Sequence, residues 1–329
     1  MDFRETYDVI IVGGGPAGLS AGLYCKRAVL KSVLLEKGLL GGQIAISKDV
    51  ENYPGLEGIT GFDLAEKMAA HARAFGLEII QDEVVSIQAA ADRAAGPPGL
   101  HSVDLAGGDR LGAVALILAL GGSVRKLGVP GEAEYLGSGV SYCATCDGFF
   151  FKGKTAVVVG GGDTAVEEAL YLARLAGKVY LVHRRDSLRA SRLLQDRLMA
   201  DPRIEVIWDT VVREIKGERG AVNAVFLENA RTGEKRELPT DGVFVFIGYS
   251  PNSRLIPPGV RMNERGFVVT DEKCETSVPG IFAAGDLRHK FANQIVVAAA
   301  DGCIAALGAA HYIENFKAGP GGHVVADLH

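Results

Sequence analysis

Cys143 and Cys146 stand three positions apart in the stretch GVSYCATCDGFF, and Asp147 follows the second at once. Two thiols at this spacing can hold a metal, pack inertly, or close and reopen as a disulfide. A zinc site normally needs four ligands, with paired Cys-x-x-Cys as its usual mark, and here Cys143/Cys146 is the only such pair. The other three cysteines read as isolated thiols: Cys25 on the first helix, Cys274 in a polar loop, Cys303 on an alanine-rich helix. Cys25 and Cys303 are expected to pack as small apolar residues. A redox role is therefore favoured over zinc. Asp147 is the natural acid/base for the proton that thiol–disulfide exchange moves. Read locally, it is also a turn or N-cap residue before Gly148.

The elements that must position this chemistry are two copies of one pattern. YDVIIVGGGPAGLSAGLYCKRAVLKSVLLEK reads strand, glycine turn, helix, strand, with Gly13, Gly15 and Gly18 completing a G-x-G-x-x-G and Glu36 ending the second strand. The first glycine makes the tight turn, the second lets backbone approach a pyrophosphate, and the third lets the helix pack on the strand. The helix N-terminus attracts the phosphate, and the acid can accept from both ribose hydroxyls. KTAVVVGGGDTAVEEALYLARLAGKVYLVHRR repeats the pattern with Gly160, Gly162 and Ala165. Gly13 lies 23 positions before Glu36 and Gly160 lies 23 before His183, so His183 takes the place of the acid. Arg184, Arg185 and Arg189 follow it. A carboxylate there would repel a 2′-phosphate, whereas guanidinium forks bind one. The first unit therefore suits a dinucleotide with a free ribose and the second suits NADPH. In isolation, HRRDSLR would read as a solvated charged turn.

Near the C-terminus, SVPGIFAAGDLRHKFANQIVVAAADG reads as a short strand, Gly285-Asp286, a loop and a small-residue helix. Asp286 can hold sugar-like hydroxyls of a cofactor, or simply end an ordinary strand-to-helix connection. The 329 residues allow two domains, and 48% hydrophobic content with 43 glycines fits an α/β protein. A net charge of −5 without a basic run argues against nucleic-acid binding. The acidic, weakly apolar N-terminus does not read as a signal peptide, and no apolar stretch is expected to reach membrane-spanning length. Five cysteines in such a chain suggest a reducing cytoplasm.

GGQ at 41–43, ENYPG at 51–55, CATCDG, GGGDTAVEEA, HRRDSLRAS, IGYSPN and GIFAAGDL, with the first glycine fingerprint, occur in the order found in low-molecular-weight, bacterial-type thioredoxin reductases. The chain resembles that family over nearly its whole length. The resemblance implies an α/β protein of two Rossmann-like, three-layer ββα nucleotide-binding domains. The FAD domain would comprise 1–121 and 248–329, with the NADPH domain, 122–247, inserted and carrying the Cys-x-x-Cys. It implies a homodimer whose protein substrate is thioredoxin, while the composition and the single cysteine pair point to a cytoplasmic protein with no nucleic acid, membrane or metal. By the family motifs, Gly13, Gly15, Gly18, Glu36, Gln43, Asn52, Asp286 and Gln294 would serve FAD. Gly162, Asp163, Thr164, His183, Arg184, Arg185 and Arg189 would serve NADPH. Cys146 would face the flavin, Cys143 would attack the substrate disulfide, and Asp147 would act as acid/base.

Two departures stand out. ALGG at 119–122 puts Leu120 where many members have a hydroxyl residue, and Asn293 replaces an arginine before Gln294. Residues 89–109 read as a loop and hairpin elaboration without chemistry. The rival readings are a same-fold reductase of another disulfide, a dithiol oxidase, and a non-catalytic redox sensor. Two complete nucleotide units favour turnover over sensing.

Overall fold

In the computed structural model, which describes residues 3–46, 50, 52–90 and 99–318, the first apolar run becomes strand β1 (Glu5–Val12). Val9 and Ile11 enter one core cluster, while Ile10 and Val12 enter another on the opposite face. This period of two lets an uninterrupted apolar run fill both sides of a covered sheet. Helix α1 (Pro16–Arg27) opens on a proline, whose fixed φ suits the first helical position, and closes on Lys26 and Arg27, which favour a helix C-terminus. Strand β2 (Ser32–Glu36) returns parallel to β1. Helix α2 (Gly61–Ala74) starts at Thr60, whose hydroxyl accepts the Asp63 amide. Strands β3 (Glu78–Gln81), β4 (Val84–Gln88), β5 (His101–Leu105) and β6 (Arg110–Leu118) give the sheet order β3-β2-β1-β6-β5-β4. In the 89–109 segment the structure places β5 as an antiparallel strand of this sheet. Residues 91–98 of that segment lie outside the described residues.

Strand β7 (Gly122–Val124) leads into a second unit. There β8 (Val140–Ser141) precedes the one-turn helix α3 (Ala144–Asp147), followed by β9 (Thr155–Gly160), α4 (Asp163–Leu172), β10 (Lys178–Val182), α5 (Arg192–Ala200) and β11 (Ile204–Ile207). An antiparallel meander, β12 (Thr210–Glu218), β13 (Ala221–Asn229) and β14 (Lys235–Pro239), leads to β15 (Gly242–Phe246). The main sheet of this unit runs β11-β10-β9-β15-β8, and every pairing in it is parallel. Strand β16 (Tyr249–Pro251) pairs with β7 where the chain returns. Strand β17 (Ile281–Ala283) then joins β6 of the first sheet, ahead of the long helix α6 (Ile295–Ala318). Two compact units result: Met1–Ser123 with Ser250–His329, and Val124–Tyr249. The class is mixed α/β with parallel sheets.

Helix α6 corrects one sequence expectation. Its 24 residues include a window of mean hydropathy 1.5, so by length and composition it could cross a membrane. Its apolar content has a packing cause. Ala298, Ala305, Ala306, Ala309 and Ile313 are buried with Ala17, Ala21 and Cys25 of α1. Gly302 lets the two helices touch, since a Cβ there would stand 2.0 Å from the Ala17 carbonyl oxygen.

Candidate active site

Cys143 and Cys146 are bonded as a disulfide, with their Cα atoms 5.3 Å apart. Cys143 leaves β8 in extended conformation and caps α3, and both cysteines are half-buried. Three acidic or hydroxyl groups hold this turn. Ser141, buried at the end of β8, accepts the Cys143 amide at 3.0 Å and donates to Asp147 Oδ2 at 2.5 Å. Glu168 of α4 accepts the Ala144 amide at 3.1 Å, and burial holds its carboxyl above the usual range. Glu132 accepts from the amides of Leu127 and Gly128 and from the hydroxyl of Tyr142, the residue before Cys143. Among the described residues, no cluster of three His, Cys, Asp or Glu could hold a metal ion.

Of the remaining cysteines, Cys25 is fully buried and Cys303 partly so. Cys274 lies in the polar loop expected of it, and the loop buries it. It is wholly buried with a left-handed φ of 62°, and burial pushes its thiol up to about 11. Its Sγ accepts from Arg288 Nη1 at 3.2 Å, so the polar residues around it fold over the thiol and do not expose it.

In the first unit the glycines divide by job. Gly13 has φ +110°, and a Cβ there would lie 2.3 Å from the Ala119 carbonyl oxygen. At Gly18 a Cβ would lie 1.8 Å from the Gly13 carbonyl oxygen. Both are required by the protein's own close packing. Gly15 is different: it N-caps α1 without a side-chain bond, and a Cβ there would meet nothing within 4 Å. The helix start is left open to an occupant, as a pyrophosphate needs. Glu36 reaches back to this turn, accepting the Gly14 amide at 2.6 Å and the Gly38 amide at 2.8 Å. A carboxylate has about four acceptor positions, so two such bonds leave capacity for ribose hydroxyls.

Gln43 is exposed on a short 3-10 helix, Gly42–Ile46. Asn52 and Gln294 meet across 242 positions of sequence, Asn52 Nδ2 donating to Gln294 Oε1 at 3.2 Å. Asp286 lies on a 3-10 turn, Gly285–Leu287, between β17 and α6. The fold therefore gathers these acceptors and donors within one unit. Of the two departures, Asn293 is exposed. Leu120 packs on the core, and Asn252 ties the crossing in place of a hydroxyl, donating to the Leu120 carbonyl at 2.8 Å and accepting from Ser123 at 2.9 Å.

The second unit repeats the plan. A Cβ on Gly160 would lie 2.5 Å from Ala165 Cβ and from the Phe246 carbonyl oxygen, whereas Gly162, the N-cap of α4, has open space. The basic turn is stitched to this loop: the Arg189 amide donates to the Gly161 carbonyl, and the Ser191 amide to Asp163 Oδ1, each at 2.7 Å. Asp163, Thr164, Arg184, Arg185 and Arg189 are exposed beside it. His183 is not. It is buried under the glycine loop with Nδ1 2.8 Å from the Gly160 carbonyl oxygen, and a Cβ on Gly161 would strike its ring. Burial holds its imidazole below the ordinary histidine value. Its place is the floor of the loop, and the positive charge comes from the arginines.

Sequence reasoning missed Ser141, Glu168 and Glu132. It also missed Lys290 and Asp301, which pair with each other and, through Lys290, with Asp286. One signal was available for the last group: a lone acid in the run IVVAAADGCIAALGAA must find a partner if that helix is core.

A family model for pyridine nucleotide-disulphide oxidoreductases matches residues 7–302. The chain is 47% identical over 317 residues to a thioredoxin reductase of Bacillus subtilis (strain 168), spanning 96% of this chain and 98% of that one. It is 45% identical over 312 residues to a thioredoxin reductase of Treponema pallidum (strain Nichols), spanning 94% and 98%. The crystal structure of thioredoxin reductase from Streptococcus pyogenes MGAS5005 shares 43% identity at a TM-score of 0.89, covering 94% of this chain and 98% of that one. The chain belongs to the pyridine nucleotide-disulphide oxidoreductase family.

Proposed function

We propose that this protein uses NADPH to reduce the disulfide of a thioredoxin, through FAD and the Cys143–Cys146 pair. The observation that carries the proposal is the disulfide itself, built into the same unit as a glycine loop bordered by three exposed arginines. The FAD domain is the unit containing Gly13, Gly15, Gly18, Glu36, Gln43, Asn52, Asp286 and Gln294. The NADPH domain is the unit containing Gly162, Asp163, Thr164, His183, Arg184, Arg185 and Arg189. Bound FAD supplies a two-electron carrier between a hydride donor and sulfur.

The residues of the chain do the rest. The open N-termini of α1 and α4 receive phosphates, Glu36 orients a ribose, and Arg184, Arg185 and Arg189 hold a 2′-phosphate. Two electrons open the Cys143–Cys146 bond. The Cys143 thiolate attacks a sulfur of the substrate disulfide, releasing the other as a thiolate that takes a proton from Asp147. The Cys146 thiolate then attacks Cys143 Sγ, which restores the internal disulfide and releases the second substrate sulfur as a thiolate that takes its proton from solvent. NADPH, one proton and a disulfide thus become NADP and a dithiol.

Exposed Val296, Ile304 and Leu307 on α6 support a homodimer, and three unpaired cysteines suit a reducing cytoplasm. The test mixes the FAD-loaded protein with NADPH, thioredoxin and a thiol-reactive dye. Dye reduction should require all of them. Reduction that ignores thioredoxin, or a loaded protein that reduces nothing, would overturn the assignment.

A further inference from the structure

Asp286 sits at the end of a buried chain of charges. Lys290 Nζ is 3.0 Å from Asp286 Oδ1 and 3.2 Å from Asp301 Oδ2. Asp301, within α6, also accepts from Arg288 Nη1 at 2.7 Å and from the Gly285 amide at 3.1 Å. Arg288 continues to the Asp271 carbonyl at 3.3 Å and to Cys274 Sγ. The side chains of Lys290 and Asp301 are each 7% exposed.

Arg288, Lys290 and Asp301 are largely out of water, and such charges contribute little to stability, because desolvation offsets their attraction and apolar residues of similar volume serve as well or better. What such a network does supply is direction. Asp301 binds the backbone immediately before Asp286, through the Gly285 amide. It also binds Lys290, which grips the Asp286 carboxylate. Gly285 itself has φ +71°, which glycine adopts without strain, and its amide is held by Asp301. Backbone and side chain of Asp286 are thus both fixed from one residue on α6.

We propose that Lys290 and Asp301 are positioning residues, which set the Asp286 carboxylate for the hydroxyls of the flavin's polyol chain. This rests on the reading that Asp286 meets FAD. Lys290 draws one carboxylate oxygen toward itself by an ion pair, and Asp301 holds the turn that carries the group.

The experiment follows release of FAD from the loaded, full-length protein by the rise of free-flavin fluorescence. Asp286→Ala is the reference and should speed release about tenfold or more, the effect of losing a charge-assisted hydrogen bond. Lys290→Met should speed it comparably, the Asp286→Ala/Lys290→Met double variant no more than Asp286→Ala alone, and Lys290→Arg should restore most of the retention. Unchanged release from Asp286→Ala would remove the reading that Asp286 meets FAD. A slow-releasing Lys290→Met beside a fast-releasing Asp286→Ala, or additive effects in the double variant, would remove the positioning role alone. Where Lys290→Met does not fold, Asp301→Asn, which keeps the shape, is read the same way: faster release with Asp286 present and no further effect without it.

Discussion

Ser141 and Asp147 are joined by a 2.5 Å hydrogen bond, and the same hydroxyl receives the amide of Cys143. One buried serine therefore sets the cysteine that we propose attacks the substrate relative to the carboxylate that we propose moves the proton. Ser141→Ala should lower thioredoxin-dependent turnover about tenfold, the effect of losing a hydrogen bond to a charged group. Reduction of the flavin by NADPH should be unchanged. Stopped-flow absorbance separates the two half-reactions. Equal slowing of both would show that Ser141 supports the fold and not the exchange.

Gly13 and Gly15 should respond oppositely to alanine. Gly13→Ala forces a side chain into the Ala119 carbonyl at a backbone angle that disfavours it, so the melting temperature of the FAD-free protein should drop. Gly15→Ala meets nothing in the protein, so that melting temperature should hold while FAD binding weakens. Calorimetry with and without FAD reads both. Intact FAD binding by Gly15→Ala would mean that the open start of α1 receives no phosphate.

Replacing Arg184 and Arg185 together by alanine should weaken NADPH use by about 2–4 kcal/mol and spare NADH, since only the former carries a 2′-phosphate. The ratio of kcat/KM for the two coenzymes checks this. His183 enters no such prediction, because it lies buried under the loop, where burial disfavours its charged form.

The paired strand–turn–helix units were legible because the spacing of their glycines is dictated by backbone geometry, which sequence records directly. The equivalence of His183 with Glu36 was legible for the same reason. What that equivalence could not convey is burial: a histidine and two arginines read as one basic run, yet just past β10 the chain buries the first and exposes the others. Ser141 and Glu168 left no mark because their partners are set by packing, with Glu168 reaching Ala144 from another element 24 positions away. The loop around Cys274 was legible but its burial was not, because a run of polar neighbours said nothing of Arg288, which bonds its sulfur.

His101, on β5, gives a pH dependence. Its Nδ1 accepts the Ala90 amide at 3.1 Å, its other nitrogen bonds the Pro279 backbone, and burial lowers its imidazole to about 4. The unfolded chain binds a proton near pH 6.5. Between these values the unfolded state holds more protons, so stability present above about 6.5 is lost as pH falls toward 4, by up to about 1.4 kcal/mol per pH unit. Urea midpoints at several pH values should show a shallower slope for His101→Gln than for the parent protein. Identical slopes would contradict the assignment.

The central claim is that Cys143 and Cys146 pass electrons to thioredoxin by breaking and re-forming their bond. Its most direct measurement is thioredoxin-dependent oxidation of NADPH by Cys143→Ser and Cys146→Ser, each carrying FAD. Exchange needs an attacking and a resolving thiol, so both variants should lose most turnover while NADPH still reduces the flavin in each. Turnover at the parent rate in either variant would show that electrons reach thioredoxin by another route.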